Sequence, residues 1–287
     1  MLNILITGSG GQLGQEIQEL ANNYSEFNFI SATHQDLDIS DINSIHNFIK
    51  DTKIEAIVNC AAYTSVDKAE EEKEQAFKVN TKGAENLAQI AQEIGAKLIH
   101  ISTDYVFDGK SYIPYTPESP TKPLGVYGKS KLEGERAILE IAPKNSAIIR
   151  VSWLYGFYGK NFVKTMLRLG KEKNDISVVY DQIGSPTYAF DLAQAILTIL
   201  PKLENDNPQI YHYANSGVAS WFDVAKTALK LVNYQGKINP IPSSAYPTLA
   251  TRPNYSVLNT SNIREDFNLT IPYWQDSLEH CIKRLEK

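Results

Sequence analysis

Leu2-Asn3-Ile4-Leu5-Ile6-Thr7-Gly8-Ser9-Gly10-Gly11-Gln12-Leu13-Gly14 is the stretch whose reading decides the fold. A short apolar run ends at a glycine, and Leu13, Ile17 and Leu20 then recur at helical spacing. Glycines 8, 11 and 14 therefore stand in a turn between a strand and a helix. Such a turn needs backbone without side chains, so that an anion can approach the free N–H groups at the helix start. Glycine-rich turns are common on their own. In this position the turn points to a dinucleotide, with Gly8, Gly11, Gln12, Leu13 and Gly14 as the candidate residues.

Strand and helix signals continue to alternate after it. Phe27 to Ala32 reads as a strand, Ile42, Ile45 and Ile49 as a helix, and Ala56 to Cys60 as a third strand. A helical pattern from about Glu74 to Ile94 stops at Gly95, and the run Glu70-Glu71-Glu72 before it reads as a solvated helix start. Lys97 to Ile101, a helix from about Val126 to Glu140, and Ala147 to Val151 complete the series. Strands separated by helices of this length make parallel βαβ units. The expected architecture is α/β, a Rossmann-type doubly wound parallel sheet. Residues 1–151 form mainly its dinucleotide-binding domain. Residues 152–287, broken by prolines, form mainly a smaller mixed α/β substrate domain, with some segments returning to the first.

The composition agrees with a globular chain of this kind. The chain has 287 residues, enough for a core without staples. Its net charge of −5 lacks the basic excess of a nucleic-acid binder. Two cysteines, Cys60 and Cys281, offer neither a disulfide framework nor zinc spacing. No run suits a signal peptide or a membrane span, so a cytoplasmic protein without nucleic-acid or membrane partners is expected.

Two further stretches carry chemistry. Of 16 tyrosines only Tyr127 has a lysine, Lys131, four residues later. On a helix the two share a face, and a lysine charge there would lower the phenol pKa. Ile101-Ser102-Thr103-Asp104-Tyr105-Val106-Phe107 ends the fourth strand, at the edge where open α/β sheets bind ligands. Its hydroxyls can bond a substrate oxygen.

The glycine turn, this strand end and Tyr127-x-x-x-Lys131, in that order, resemble the extended short-chain dehydrogenase/reductase superfamily. Asn59-Cys60-Ala61-Ala62-Tyr63-Thr64-Ser65-Val66-Asp67-Lys68-Ala69-Glu70 is similar to a segment of its dTDP-4-dehydrorhamnose reductase family. So are Ser102 to Gly109, Arg150 to Gly156, Asn161 to Met166, Asp181 to Thr187, and Arg252-Pro253 with Ser256-Val257-Leu258. The resemblance implies reduction of the C4 keto group of dTDP-4-dehydro-L-rhamnose by NADPH or NADH, in dTDP-rhamnose and polysaccharide biosynthesis, by a monomer or homodimer. It implies Tyr127 as general acid, Lys131 on the nicotinamide ribose, and Thr103 orienting the keto oxygen. Asp38 and Ile39 would lie by the adenine, and Ala62, Tyr63 and Thr64 by the inner ribose and nicotinamide. Asp104, Trp153, Asn161, Lys164, Gln182 and Arg252 would meet the sugar nucleotide. Trp221 and Trp274 read equally well as core.

Some positions depart from relatives. Thr33-His34-Gln35, after strand two, offers neither a carboxylate against a 2′-phosphate nor an arginine for one. Phe190 stands where metal-paired members carry glutamate, so no metal is expected. A related nucleotide-sugar reductase, dehydratase or epimerase would share this fold and cofactor, but a dehydratase would carry glutamate after the aspartate, where this chain has Tyr105. A catalytically silent cofactor-binding subunit is the other alternative, against which the intact Thr103, Tyr127 and Lys131 argue.

Overall fold

A computed structural model describes residues 1–286. Its centre is built from strands that are apolar on both faces. In β1 (Leu2–Thr7) Ile4 and Ile6 enter one core and Leu5 the opposite one. The same alternation splits Val58 from Ile57 in β3 (Ala56–Asn59) and Ile99 from Leu98 in β4 (Lys97–Thr103). It splits Ile149 from Ile148 in β5 (Ser146–Val151) as well. Strands buried on both faces belong to a parallel sheet covered by helices on each side. With β2 (Phe27–Ala32) and β6 (Gln209–Tyr213) they form one all-parallel sheet, ordered β6-β5-β4-β3-β1-β2.

Helices α1 (Gln12–Leu20) and α6 (Ala189–Ile199) cover one face through Leu13, Ile17, Leu192 and Ile196. Helices α2 (Ile42–Ile49), α3 (Gly83–Ile94) and α4 (Val126–Ile141) cover the other through Ile45, Leu87, Ile90 and Ile138. Residues 189–213 thus return from the second half of the chain to the large sheet. The remaining part is a smaller lobe around α5 (Phe162–Glu172), α7 (Trp221–Leu231) and α8 (Trp274–Leu285). Its sheets are short, Asp175–Val179 beside Lys237–Ile241 and two-residue strands at 183–184, 219–220 and 255–256. Among the described residues no helix is long and apolar enough to cross a membrane.

The long helix expected over 74–94 is divided. Lys73–Phe77 is α-helical, Lys78–Lys82 is a π turn, and α3 begins at Gly83. The widened turn carries Asn80, whose amide donates to the Tyr63 carbonyl and to Ser130 Oγ while accepting from the Tyr63 N–H. These bonds join three separate segments, which explains the insertion better than any local preference. Of the acidic run, Glu71 and Glu72 are exposed at the start of the Lys73–Phe77 helix, and Glu70 alone departs from the solvated reading. Glu70 is half-buried, and its Oε1 accepts a 2.8 Å bond from the Val126 N–H at the start of α4.

Strand order reverses between β1 and β3, since β2 lies beyond β1 and every later strand lies beyond β3. Ligands in open α/β sheets bind outside the carboxyl ends of strands at such a point. Here the ends of β1, β3 and β4 present the glycine turn, Asn59 to Thr64, and Thr103.

Candidate active site

The glycine turn fits a dinucleotide. Gly8 has φ +65°, and a Cβ on it would lie 2.6 Å from the Ala61 backbone across the switch point. A Cβ on Gly14 would meet Ser9 at 2.6 Å, so that glycine lets α1 pack onto the loop. Gly11 caps α1 without any side-chain acceptor, and no acidic residue occupies the first turn. The first N–H groups of α1 and its dipole are therefore left to an anion. Beyond β2, Asp36 Oδ2 accepts from both the Thr33 N–H (2.9 Å) and hydroxyl (2.6 Å), which ties that carboxylate to its own turn. Asp38 caps Ser40, and Ile39 packs under Gly83. Tyr63 is fixed at its backbone by Asn80 and gives its hydroxyl proton to Glu72.

Thr103 ends β4 with its hydroxyl donating to Asp104 Oδ1 at 3.0 Å and accepting from the Tyr105 N–H. Tyr127 lies in the first turn of α4, its ring edge-on to Tyr105 with centroids 5.4 Å apart. Gly128 follows because a Cβ there would lie 2.2 Å from the Tyr105 carbonyl oxygen. Lys131, one turn on, is buried beneath the site. Its Nζ donates to the Ile101 carbonyl at 2.7 Å and lies 3.1 Å from His100 Nε2.

The electrostatics correct one expectation. Lys131 does not lower the Tyr127 phenol in this arrangement, because its nitrogen is turned to β4. Burial pushes Tyr127 up to about 12, with Thr103 opposing and Asp104 adding to the rise. Burial draws Lys131 down to about 8. Asp104 is raised to about 6, mainly by burial, and its Oδ2 has no hydrogen-bond partner. Tyr127 is thus firmly protonated near neutral pH, as a proton donor to a developing alkoxide must be.

Across the cleft, Trp153 adopts φ +50° and stacks on Trp221 with ring centroids 3.8 Å apart. Gln182 accepts from Trp221 Nε1 at 3.1 Å and donates to Ser243 Oγ. Arg252 grips Asp67 with two nitrogens, at 3.1 and 2.7 Å. Gln182, Trp221 and Arg252 line one cavity of about 830 Å³ with Met166, Tyr246 and Thr248. Asn161 and Lys164 do not line it. Asn161 caps α5 and donates to Gln12 Oε1 and the Gly156 carbonyl, while Lys164 Nζ donates to the Phe157 carbonyl.

The whole chain from residue 2 to 287 matches the family model described as the RmlD substrate binding domain. The chain belongs to this family. A dTDP-4-dehydrorhamnose reductase of Aggregatibacter actinomycetemcomitans is 40% identical over 289 residues, covering 98% of each chain. The crystal structure of a Clostridium acetobutylicum dTDP-4-dehydrorhamnose reductase is 39% identical with a TM-score of 0.94, covering 100% of both chains. That of the Bacillus anthracis reductase, solved in complex with NADP, is 40% identical with a TM-score of 0.94, over 99% of this chain and 100% of that one.

Three residues of this RmlD-family site escape the sequence reading. Trp221, legible equally as core, forms a cavity wall. Glu70 holds the start of α4, and His100 lies against Lys131. Glu70 ends the family segment Asn59 to Glu70, but its role, like those of Trp221 and His100, depends on a partner far away in sequence.

Proposed function

We propose that this chain reduces the C4 keto group of dTDP-4-dehydro-L-rhamnose with NADPH or NADH, giving dTDP-L-rhamnose. One observation carries the reading. A tyrosine hydroxyl and a threonine hydroxyl converge at the carboxyl end of β4, beside a helix N-terminus left free for a pyrophosphate. The nicotinamide supplies the hydride to C4 when bound. The chain supplies the rest. Thr103 can turn its hydroxyl from Asp104 to the keto oxygen and orient it. Tyr127 gives its proton to that oxygen as negative charge develops, so hydride and proton together make the alcohol. Lys131, one turn on and buried beneath the site, would meet the ribose.

Gly8, Gly11, Gln12, Leu13 and Gly14 would hold the pyrophosphate. Asp38, Ile39, Ala62, Tyr63 and Thr64 would border the two ends of the cofactor. Asp104, Trp153, Gln182 and Arg252 would meet the sugar nucleotide. Asn161 would serve more distantly, by fixing α5 to Gln12 of the glycine turn, and Lys164 by tying α5 to the Phe157 carbonyl. In this division residues 1–151 bind mainly the cofactor and 152–287 mainly the substrate, apart from the returning segment.

The test is direct. Purified protein with dTDP-4-dehydro-L-rhamnose should consume NADPH or NADH, followed by nicotinamide absorbance, and dTDP-L-rhamnose should accumulate. A folded, cofactor-binding protein that consumes neither would instead be a silent subunit.

A further inference from the structure

A chain of four buried polar side chains runs behind the site, from Thr7 on β1 through Asn59 on β3 and His100 on β4 to Lys131 on α4. Each is about 1% exposed. Its direction can be read from a group that cannot turn over. The Ala61 backbone N–H donates to Asn59 Oδ1 at 3.1 Å, and the Thr7 hydroxyl donates to the same oxygen at 2.7 Å. The oxygen of the Asn59 amide is thereby fixed, because a flipped amide would set N–H against N–H. Asn59 Nδ2 must then donate to His100 Nδ1, 2.9 Å away. A neutral imidazole has one acceptor and one donor nitrogen. With Nδ1 accepting, Nε2 carries the hydrogen, and that hydrogen faces Lys131 Nζ at 3.1 Å.

An ammonium at Lys131 would meet an N–H there. A neutral amine would accept from Nε2 and still donate to the Ile101 carbonyl. Other groups face Lys131 too. Tyr127 lies one turn earlier on the same helix, and Glu135 one turn later favours the charged form. The Glu135 carboxylate is occupied by Arg150 of β5, at 2.9 and 2.7 Å, and by the Ser102 hydroxyl. Burial holds His100 well below its ordinary value, so it is a neutral ring near pH 7.

We propose that Asn59 and His100 are positioning residues for Lys131: Asn59 fixes the His100 proton on Nε2, and this N–H, aimed at the lysine nitrogen, makes Lys131 release its proton readily. The proposal rests on the reductase reading above for its role in turnover. A lysine beside a reacting phenol serves best if it can change charge within the cycle.

The test uses the full chain and reads the imidazole itself. In wild-type protein labelled with ¹⁵N-histidine, NMR should find His100 protonated at Nε2 across neutral and mildly alkaline pH. A Nδ1-protonated His100 overturns the proposal, and this measurement needs no variant. Asn59→Asp keeps the shape and the acceptor for Ala61, but its second oxygen can accept from Nδ1–H. His100 should switch tautomer, leaving a Nε2 lone pair for the ammonium. The Lys131 side-chain titration by NMR, and the alkaline limb of kcat, should then move upward by about one pH unit. An unchanged titration, or an upward move without the switch, overturns it. Inactive wild-type protein that still shows the tautomer and the NMR shift defeats the reductase reading and leaves the Asn59–His100–Lys131 coupling standing.

Discussion

Glu70 Oε1 accepts a 2.8 Å hydrogen bond from the backbone N–H of Val126, the residue immediately before Tyr127. The first turn of a helix has N–H groups without intrahelical partners. Gly125, at the cap position, has no side chain to serve them, and a Cβ there would lie 2.6 Å from the same Glu70 oxygen. A carboxylate from 56 residues upstream therefore does what a cap residue would do locally, with favourable charge at the helix start. The turn that it fixes carries the proton donor.

Removing that carboxylate should loosen the site more than the fold. Glu70→Ala should cost about 1 kcal/mol of stability, the usual loss for a cap. It should also lower kcat with little change in NADPH affinity, since the glycine turn is elsewhere. Thermal unfolding, cofactor titration and steady-state rates check the three parts. A variant with unchanged kcat would mean that Tyr127 is held by its packing alone.

The glycines separate binding from folding. Gly11→Val places a side chain where the pyrophosphate must approach, whereas its Cβ finds only the Gly8 carbonyl oxygen at 3.2 Å. NADPH Kd should rise at least about tenfold, a cost of about 1.4 kcal/mol, with the melting temperature nearly kept. Gly8→Ala should do worse on both counts, since its Cβ meets Ala61 backbone at 2.6 Å and its φ is +65°. Equal cofactor affinity in Gly11→Val and wild type would show that the turn carries no phosphate.

Much of this was legible in the sequence, for physical reasons. Strands β1, β3, β4 and β5 are apolar runs of parallel-sheet type, and the helices between them carry a helical period, so patterning located them, apart from the π turn before α3. Thr103, Tyr127 and Lys131 were legible because spacing along a strand end and a helix already places them. β6 was not. Its His212 is buried against the Tyr115 carbonyl and Arg150, partners that are distant in sequence. The two-residue strands of the smaller lobe have no period to read. Glu70 looked like one charge in a solvated run, because its partner appears only when α4 folds back on it.

The end of β2 sets cofactor choice. Thr33, His34 and Gln35 offer no carboxylate, and the Asp36 carboxylate is bound to Thr33. NADPH should be used at least as well as NADH. Thr33→Asp should shift kcat/KM toward NADH, because a carboxylate there accepts from a ribose hydroxyl and repels a 2′-phosphate. A wild-type enzyme with a clear NADH preference would contradict this.

Asp104 makes stability depend on pH. Burial raises its folded pKa to about 6, above the ordinary carboxyl value. The native state thus binds this proton more tightly than the unfolded chain. The contribution is fully present below the unfolded pKa and is lost as pH rises through about 6. Asp104→Asn, which cannot ionise, should be more stable than wild type at pH 7 to 8, by on the order of 2–3 kcal/mol. The gap should close below about pH 4. Denaturant melts of both proteins across that range check it. A gap that does not vary with pH would mean that Asp104 has the same pKa in the fold as in the unfolded chain.

The proton itself is the last prediction. Hydride delivered to a carbonyl carbon leaves negative charge on its oxygen, and the group that protonates it must hold a proton at the working pH. Tyr127, pushed up to about 12, does so. Asp104, at about 6, is largely ionised near pH 7 and supplies no proton from most molecules. Tyr127→Phe keeps the ring and its edge contact with Tyr105, so folding and NADPH binding should survive. A positioned general acid contributes about 10²–10⁴-fold, or roughly 3–5 kcal/mol of barrier, and kcat should fall by that factor. Lys131→Met should lose both rate and cofactor affinity, since it removes the nitrogen bonded to the Ile101 carbonyl beneath the site and the proposed ribose contact. Single-turnover rates with saturating cofactor separate the two effects. A folded Tyr127→Phe enzyme within about threefold of wild type would leave Thr103, backed by the Asp104 carboxylate, or an ordered water as the proton donor.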